Sequence, residues 1–451
     1  MTEKNNHIVI IGNGISGVTC ARNIRKKDRA VSITIISAET KHFFSRTALM
    51  YIYMGHMKYE HTKPYADDFW EKNGIQLKFA WVRQVDFTNR QLHFQNGEQM
   101  SYGKLILATG SKPNKFGWPG QELDGVQGLY SYQDLLSMEK QTPSISHAVI
   151  VGGGLIGVEM AEMFCSRKIP VTFLVREKGF WDNVLPKEEA ELVGRHIRGH
   201  GVDLQLETEL SSIVDDGTGR VKAVETSAGK RIECEFVGLT AGVSPNIGIF
   251  RGSELATNRG ILVDEWFRTN LPDVYAIGDC TEFKTPPGPD RKTIEQVWYT
   301  GRMHGETLAR NLTSKNPVPY KPGIWFNSAK FFDLEYQTYG HIPAEPRDGE
   351  WSFYWEDASG NVALRLLFTR GDQLLGINAF GWRMRHVFFD RAIRERWLAD
   401  RVISRLDQAN FNPEFYRDLQ KELVKAYNRE KGTSIALPKR SLIQRLIGSR
   451  A

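Results

Sequence analysis

The sequence predicts an α/β fold made of two Rossmann-like three-layer domains and a C-terminal α+β domain. Two glycine motifs of the form G-x-G-x-x-G occupy residues 12–17 and 152–157. Each motif follows an apolar strand, His7 to Ile11 or Ala148 to Val151, and opens a helix-like stretch, which is the context that it requires. From about residue 326 the pattern changes to short alternating strands followed by helical stretches, which is typical of a separate domain with an antiparallel sheet.

The first motif contains Gly12, Gly14 and Gly17. Its first glycine permits a tight turn, its second allows the backbone to approach a pyrophosphate, and its third lets the helix pack close to the strand. The phosphates then lie at the positive end of the helix. Glu39 follows near the end of the next strand, at the spacing of a carboxylate that binds ribose hydroxyls. We therefore expect a dinucleotide at this loop.

The rest of the first domain is predicted from its apolar runs and turns. The apolar run from Leu105 to Ala108 leads into Thr109 and Gly110, whose backbone groups can face a cofactor at the strand end. The other predicted elements are a helix, a strand and a hairpin, at Val18 to Lys27, Val31 to Ser37, and Trp81 to Phe87 with Gln91 to Phe94.

The second motif, Gly152, Gly154 and Gly157, begins a repeat of the same plan. Glu177 lies near the end of the next strand, and Gly242 closes an Ala-Gly turn that is the counterpart of the first strand end. We therefore expect a second dinucleotide. The predicted strands of the repeat are Val171 to Val175 and a hairpin near Val221 and Ile232.

After the repeat, the chain is predicted to return to the first domain. A buried strand there ends in Gly278 and Asp279, where a carboxylate can accept a hydrogen bond from a sugar-like hydroxyl of a cofactor. A helical run from Gln296 to Leu312 follows. The predicted boundaries are 1–115 with 255–325 for the first domain, 116–254 for the second, and 326–451 for a C-terminal interface domain with a basic helical tail.

Smaller elements are predicted in the linker and in the C-terminal domain. A short helix is expected after Asp134 in the linker between the two nucleotide-binding halves. The C-terminal segments are strands at Gln337 to His341, Trp351 to Trp355, Ala363 to Phe368 and Leu374 to Ile377, and helical stretches at Arg385 to Asp407 and Pro413 to Asn428.

The composition argues against several classes of protein. The net charge of +6 comes from basic residues spread along the 451-residue chain, so the sequence does not predict nucleic acid binding. The sequence contains no apolar run long enough to span a bilayer, and its first residues lack the charged and apolar regions of a signal peptide. A cytoplasmic location is therefore the prediction.

The four cysteines, Cys20, Cys165, Cys234 and Cys280, are scattered along the chain. They form no C-x-x-C or other close pair that would indicate a local redox disulfide or a zinc site. We interpret them as small apolar packing residues and predict no metal site.

Two further features leave alternatives open. The tail from Pro438 to Ile447 places apolar residues on one helical face with basic residues around them, so it could rest on an anionic membrane, pack on a partner subunit or fray. The aromatic-rich stretches 325–332 and 381–389 could line a site for an acceptor molecule. The favoured interpretation is that they belong to the core of the domain and to the interface of a homodimer. His304 is interpreted as a surface or core histidine rather than a cofactor contact.

These motifs together resemble the flavoproteins with two dinucleotide-binding domains of the pyridine nucleotide-disulfide oxidoreductase superfamily. The resemblance covers roughly residues 7 to 312. The stretch from Phe43 to Leu49, with Arg46 at its centre, is most similar to the flavin modules of ferredoxin, rubredoxin and nitrite reductases. Disulfide-reducing members carry a reactive cysteine near this position instead.

The resemblance implies particular ligands for the residues already singled out. Glu159 matches the family glutamate that lies close to the nicotinamide and the flavin, and it is the candidate catalytic residue. NAD(P)H is assigned to Gly152, Gly154, Gly157, Arg176, Glu177 and Gly242. FAD is assigned to Gly12, Gly14, Gly17, Glu39, Arg46, Val82, Thr109, Gly110, Asp279, Gln296, Val297 and Trp298.

Three departures from the family pattern limit what is carried over. Tyr51 stands where relatives often have a lysine that pairs with the glutamate, so Glu159 needs another partner such as Arg46, or stays neutral through desolvation. Arg176 suits a 2′-phosphate whereas Glu177 repels it, which leaves coenzyme choice open with a slight preference for NADPH being accepted. The sequence has no cysteine between residues 21 and 164, so electrons must leave from the flavin edge.

The resulting prediction is an FAD-dependent NAD(P)H oxidoreductase that passes electrons to a separate acceptor. An iron-sulfur or rubredoxin-like protein is the favoured acceptor, because such carriers are commonly acidic and a basic face would steer them. A quinone or oxygen at a membrane surface is an alternative. The other alternative is a flavoprotein that senses NAD(P)H without turnover.

Overall fold

The chain divides into two compact units in a computed structural model that describes residues 6–411 and 419–437. The first unit contains Met1–Gly152, Met160–Phe173 and Glu209–Gly323. The second unit contains Gly153–Glu159, Leu174–Thr208 and Ile324–Ala451. The predicted tail from Pro438 to Ile447 lies outside the described residues.

A parallel five-stranded sheet forms the centre of the first nucleotide-binding half. All four residues of its central strand, Ile8–Ile11, are buried, as expected for a parallel strand that is covered on both faces. This sheet confirms the α/β class predicted from the glycine motifs. Its strand order is Val274–Ala276, Lys104–Leu107, Ile8–Ile11, Ile33–Ser37 and Ile75–Phe79.

Two helices of this half, Ile15–Lys27 and Trp298–Thr313, pack with their backbones in close approach. A Cβ atom at Gly305 would lie only 2.5 Å from the carbonyl oxygen of Ser16, so a larger residue would push the helices apart. The second helix begins at Trp298 rather than at the predicted Gln296, because Val297 is still extended (φ −133°, ψ 138°).

The second half repeats the first. Its parallel strands lie in the order Val126–Gln127, Phe236–Leu239, Ala148–Val151 and Val171–Leu174. Each half also carries a small antiparallel sheet, which confirms both predicted hairpins. These sheets consist of Val82–Asp86, Gln91–Phe94 and Gln99–Ser101, and of Leu210–Asp215, Val221–Thr226 and Arg231–Glu233.

Short strands connect the ends of these sheets within the first unit. Ser111–Pro113 pairs antiparallel with Val243–Pro245, and Ile261–Val263 pairs in parallel with Thr281–Phe283. The linker helix is Tyr132–Gln141, and it starts before Asp134 because Ser131 and Asp134 form a capping box. Other helices are Leu49–Tyr53, Phe69–Lys72, Leu155–Ser166 and Lys187–Gly199.

The C-terminal part of the second unit confirms the predicted antiparallel sheet. Its five strands lie in the order Phe326–Phe331, Leu334–Gly340, Leu374–Phe380, Ala363–Thr369 and Glu350–Glu356. The first of these strands was not predicted. A further strand of the same unit is Asp203–Gln205, in the segment that follows helix Lys187–Gly199.

The predicted helix from Arg385 to Asp407 is broken into three pieces. The first piece ends because Arg396 has a positive φ of 52°, which a helix cannot continue through. Residues 412–418 lie outside the described part of the chain, so the start of the last predicted helix is not described. The observed helices are His386–Arg394, Ala399–Ile403, Leu406–Ala409 and Gln420–Lys431.

The aromatic-rich stretches contribute to the core of the second unit. Phe331 and Phe332 are buried, as are Trp382, Met384 and Phe389. This confirms the domain-core part of the interpretation. Among the residues from 6 to 411 and 419 to 437, no helix combines the length and the apolar character that crossing a bilayer demands.

Candidate functional site

The first glycine loop uses its three glycines in different ways. Gly12 has a φ of +117°, and a Cβ atom there would lie 2.0 Å from the carbonyl oxygen of Ala108. A Cβ atom at Gly17 would lie 2.2 Å from the carbonyl oxygen of Gly12. At Gly14, by contrast, a Cβ atom would meet no described atom within 4 Å. Gly12 and Gly17 are therefore required by the packing of the protein itself. Gly14 faces open space at the start of helix Ile15–Lys27, where a phosphate fits.

Glu39 and Arg46 form a bidentate ion pair near this loop. The two guanidinium nitrogens donate to the two carboxylate oxygens at 2.8 and 2.6 Å. The backbone N–H of Tyr132 donates to the same carboxylate at 2.9 Å, and the guanidinium lies over the Tyr130 ring, 4.4 Å from its centroid. Arg46 therefore pairs with Glu39, the carboxylate that the sequence assigned to ribose hydroxyls. This ion pair was not predicted.

A hydrogen-bonded network lies at the strand ends of the first sheet. Ser111 Oγ donates to the Asp279 carboxylate at 3.2 Å, and Tyr130 Oη donates to it at 3.5 Å. Gln296 Nε2 donates to Ser111 Oγ at 2.6 Å. Burial raises the pKa of Asp279 above its ordinary value, against the opposing effects of the Ser111 hydrogen bond and the Arg46 charge. Ser111 therefore links the predicted Gln296 to the predicted Asp279, and Tyr130 donates to the same carboxylate. Sequence reasoning missed both Ser111 and Tyr130.

The two missed residues, Ser111 and Tyr130, differ in how well a local sequence pattern marks them. Ser111 follows Thr109 and Gly110 directly, so the strand-end pattern could have included it. Tyr130 lies in the segment predicted as a linker, and no local pattern marks it. A Cβ atom at Gly110 would lie 2.8 Å from Tyr130 Oη, and the φ of +70° at Gly110 also requires glycine.

The other predicted residues of the first site lie on three separate segments of the first unit. Thr109 Oγ donates to the backbone carbonyl of Asn246 at 2.7 Å. Val82 is buried at the start of its hairpin strand and pairs with Phe94. Val297 precedes helix Trp298–Thr313, in which Trp298 is the first residue and packs edge-on against Tyr299.

The second glycine loop begins with Gly152 in the first unit. Its φ is +115°, and a Cβ atom would lie 2.8 Å from the carbonyl oxygen of Thr240. Gly242, which has a φ of +84°, closes the turn, where Asn114 Nδ2 donates to the carbonyl of Ala241 at 3.2 Å. These glycines repeat the geometry of Gly12 and Gly110.

The remaining part of this loop belongs to the second unit. A Cβ atom at Gly153 would lie 2.9 Å from Val175, whereas at Gly154 it would meet no described atom within 4 Å. The N–H of Gly157 donates to the carbonyl of Gly154 at 3.1 Å. The middle glycine thus faces open space in both loops, as a phosphate-binding role requires.

Arg176 and Glu177 are paired at the end of the strand that follows this loop. Arg176 Nε donates to the Glu177 carboxylate at 2.8 Å. The arginine side chain is 73% exposed and the glutamate side chain is 28% exposed. Glu177 Oε2 would lie 3.8 Å from a Cβ atom at Gly153, which places the carboxylate beside the glycine loop.

The candidate catalytic residue Glu159 is half-buried on helix Leu155–Ser166. Tyr51 lies on helix Leu49–Tyr53 and stacks on His56 with the ring centroids 6.1 Å apart. The role of Glu159 stays a prediction.

The cysteines confirm the interpretation as packing residues. All four are free, and three are buried while Cys165 is half-buried. Burial raises the pKa of Cys165 to about 11 and that of Cys234 to about 12, and it also raises the pKa values of Cys20 and Cys280. None is a reactive thiolate near neutral pH.

His304 is a core histidine. Its Nδ1 accepts a hydrogen bond from the N–H of Gly278 at 3.1 Å, and burial together with the charge of Arg291 lowers its pKa to about 3. The imidazole is therefore neutral at physiological pH and serves the packing of helix Trp298–Thr313.

A duplicated parallel-sheet fold with two such glycine loops defines an oxidoreductase built on dinucleotide cofactors. The chain belongs to the pyridine nucleotide-disulphide oxidoreductase family, which matches residues 6–305. It is accordingly an oxidoreductase that uses FAD and NAD(P)H, as predicted. The open faces at Gly14 and Gly154 and the positive φ of Gly12 and Gly152 fit these cofactors.

Curated relatives are similar over most of the chain. It is 30% identical over 313 residues to the nitric oxide reductase FlRd-NAD(+) reductase of Escherichia coli O139:H28, which covers 69% of this chain and 80% of that protein. It is 26% identical over 397 residues to the assimilatory nitrate reductase electron transfer subunit of Bacillus subtilis, covering 87% of this chain and half of the relative's length.

Solved structures share the fold. A ferredoxin reductase from Rhodopseudomonas palustris aligns with a TM-score of 0.77 and 23% identity, over 94% of this chain and 100% of that one. An NAD-dependent persulfide reductase from A. fulgidus aligns with a TM-score of 0.81 and 23% identity, over 94% of this chain and 84% of that one.

Proposed function

We propose that this oxidoreductase passes electrons from NAD(P)H to a separate redox protein of the rubredoxin or iron-sulfur type. The observation that carries this proposal is the state of the cysteines, which are buried, unpaired with one another and held above their ordinary pKa. The proposal therefore includes no transfer of electrons through a disulfide of this chain. The names of the relatives, a reductase of FlRd and an electron transfer subunit, support a protein acceptor.

Bound FAD supplies the two-electron acceptance and one-electron release that such a reaction needs. The chain's own residues bind and orient it. The first glycine loop offers backbone N–H groups to the pyrophosphate, and the strand-end carboxylate of Asp279 accepts a hydrogen bond from a ribityl hydroxyl. Ser111, Tyr130 and Gln296 fix that carboxylate in place.

The second glycine loop binds the nicotinamide dinucleotide in this proposal, and Glu159 acts beside the nicotinamide. Glu177 is placed to accept from ribose hydroxyls, and Arg176 is placed to bind a 2′-phosphate. The ion pair between them lowers the repulsion that Glu177 alone would exert on that phosphate. We therefore expect both coenzymes to be used, with NADPH accepted.

Acceptor specificity tests the proposal directly. The yellow protein is reduced anaerobically with NADH or NADPH, and reoxidation is followed by stopped flow with a rubredoxin, a [2Fe–2S] ferredoxin, a water-soluble quinone and oxygen. The expected result is fastest reoxidation by one of the two redox proteins, with multiple turnovers. Faster reoxidation by quinone or oxygen would show that this molecule, and not a redox protein, is the acceptor. Reduction of the flavin without turnover with any of the four acceptors would indicate a sensor.

We also propose that the chain works in the cytoplasm as a homodimer. Val387 is 76% exposed and Phe411 is 55% exposed, and both lie in the C-terminal part of the second unit. The N–H of Phe411 donates to the carbonyl of Arg383, four residues before Val387, so the two residues lie on adjoining segments. Contiguous exposed apolar patches are typical of interfaces. Sedimentation velocity of the wild type and of Val387→Glu tests this, with a dimer expected for the wild type and a monomer for the variant; a monomeric wild type would contradict it.

The tail from Pro438 to Ile447 is proposed as a peripheral membrane contact. Cosedimentation with anionic vesicles, compared with a chain that ends at Leu437, measures that contact. Equal binding of the two chains would contradict a role for the tail.

A further inference from the structure

Two histidines and an aspartate converge in the second unit, in a cluster that the proposed function does not use. His196 lies on helix Lys187–Gly199, and His200 is the residue that ends this helix. Asp333 lies in the tight turn between strands Phe326–Phe331 and Leu334–Gly340. Each residue offers one ligand atom, and these atoms all lie within 4.8 Å of one another.

Both imidazoles point at the same oxygen atom. His196 Nε2 lies 2.6 Å from Asp333 Oδ1, and His200 Nε2 lies 3.1 Å from it. Histidines four residues apart lie on one face of a helix, which is the spacing that lets two imidazoles share one ligand. The carboxylate comes from a segment 137 residues away, so the cluster is made by the fold and not by local sequence.

The tautomer of His200 is fixed by the backbone. Its Nδ1 lies 3.0 Å from the carbonyl oxygen of His196, and a carbonyl only accepts, so Nδ1 carries the proton. A ring whose only proton is on Nδ1 presents the lone pair of Nε2 to the carboxylate oxygen of Asp333. Two acceptors at this distance need a cation between them, either a proton on Nε2 or a metal ion.

The same contacts prepare the ring for metal binding. An imidazole that donates its other N–H to a backbone carbonyl is the arrangement typical of metal-ligating histidines. The His200 ring also stacks on Phe332 at a centroid distance of 4.4 Å and an angle of 20°, and Phe332 itself is buried. The orientation of this ligand is thus set before any ion arrives.

We infer that His196, His200 and Asp333 form a zinc site that joins the end of helix Lys187–Gly199 to the turn at residue 333. Two imidazole nitrogens and one carboxylate oxygen are ligands that suit Zn²⁺, and water takes the fourth position. Zinc at ordinary bond lengths needs ligand atoms about 3.3 Å apart. Asp333 Oδ1 lies closer than this to both nitrogens, at 2.6 and 3.1 Å, so the carboxylate must move outward to admit the ion. The Asp333 side chain is 78% exposed and can make this movement.

Zinc binding to the full-length, FAD-containing protein tests the site. After treatment with a chelator, isothermal titration with ZnCl₂ is expected to show one ion per chain, and MgCl₂ is expected to give no binding at this site, because Mg²⁺ prefers oxygen ligands. Zinc is also expected to raise the thermal unfolding midpoint, because it binds the folded state. Absence of zinc binding would overturn the inference.

Three variants locate the ion. His200→Ala and Asp333→Asn are each expected to weaken zinc binding by about tenfold or more and to abolish the shift in midpoint. His56→Ala removes an exposed histidine outside the cluster and is expected to bind zinc like the wild type. Unchanged zinc affinity in both cluster variants would overturn the inference.

A measurement on the unmodified chain covers the case in which a variant fails to fold. Zinc is expected to protect His196 and His200 from diethyl pyrocarbonate while His56 stays reactive, as read by peptide mass spectrometry. Equal modification of His196 and His200 with and without zinc would overturn the inference. None of these readouts depends on the acceptor proposed above, so either proposal can fail alone.

Discussion

Arg365 donates a hydrogen bond from Nε to the carboxylate of Glu189 at 2.8 Å, inside the second unit. The glutamate is fully buried, and the arginine side chain is 6% exposed. Asn378 Nδ2 donates to the other carboxylate oxygen at 2.6 Å. This arrangement links helix Lys187–Gly199 to two strands of the antiparallel sheet through a buried charge pair.

Replacing Arg365 by methionine is expected to destabilise the protein by about 3 to 5 kcal/mol, because it leaves a buried carboxylate without its counter-charge. Urea unfolding at pH 8 measures the change, because the raised pKa of Glu189 leaves this group partly protonated at lower pH. The matched control is Arg195→Met, which breaks the more exposed ion pair with Glu356 and is expected to cost less than about 1 kcal/mol. Similar losses of unfolding free energy in the two variants would show that the buried ion pair contributes no more to stability than the exposed one.

The contribution of Glu189 to the stability of the protein is expected to fall as the pH rises from about 4.5 to about 7. Burial raises the pKa of Glu189 from 4.5 to about 7, although Arg365 and Asn378 oppose the shift. Between these values Glu189 binds more protons in the folded protein than in the unfolded chain, so its contribution to the free energy of unfolding decreases with pH. Glu189→Gln is expected to remove this part of the slope in urea titrations across that range. An unchanged slope would contradict the assignment.

The two kinds of glycine in the first loop are expected to respond differently to alanine. Gly12→Ala introduces a Cβ atom 2.0 Å from the Ala108 carbonyl at a φ of +117°, so we expect a loss of at least about 2 kcal/mol of unfolding free energy even without FAD. Gly14→Ala meets no described atom and is expected to change the apoprotein by less than about 0.5 kcal/mol.

The FAD affinity of Gly14→Ala completes that comparison. The added methyl group occupies the space assigned to the pyrophosphate, so FAD binding is expected to weaken by about tenfold or more, which corresponds to about 1.4 kcal/mol. Fluorescence titration of the apoprotein with FAD measures it. Wild-type affinity in this variant would mean that the phosphates lie elsewhere.

Arg176→Ala is expected to raise the KM for NADPH by about tenfold and to leave the KM for NADH nearly unchanged, because a charge-assisted hydrogen bond to the 2′-phosphate is lost. Steady-state reduction of ferricyanide measures both values. Glu177→Gln is the companion variant and is expected to lower the KM for NADPH. A KM for NADPH that does not change in Arg176→Ala would remove the arginine from coenzyme binding.

Features that depend on local backbone geometry were predictable from the sequence. Gly12 and Gly152 both have a positive φ, and the buried strand Ile8–Ile11 reads as a continuous apolar run. The hairpins and the antiparallel sheet also followed from residue alternation. In each of these cases the signal lies within a few residues of the element.

Contacts made by tertiary packing were not predictable. Tyr130 reaches Asp279 from a segment that shows only turn-like residues, and the pairing of Arg46 with Glu39 competes with the cofactor roles given to both. The break at Arg396 is another example, since a positive φ on an arginine leaves no mark in the sequence. His196 and Asp333 likewise meet only through the fold.

The strand that leaves the first nucleotide turn, Ser111–Pro113, is paired with the strand that leaves the second, Val243–Pro245. Each copy of the duplicated plan therefore pairs its exit strand with backbone from the other copy. An isolated half, expressed as a fragment or exchanged with that of a relative, would leave this strand without its partner and expose its amides and carbonyls. The two copies therefore depend on each other. Recombination between relatives should succeed only where both of these strands are inherited together.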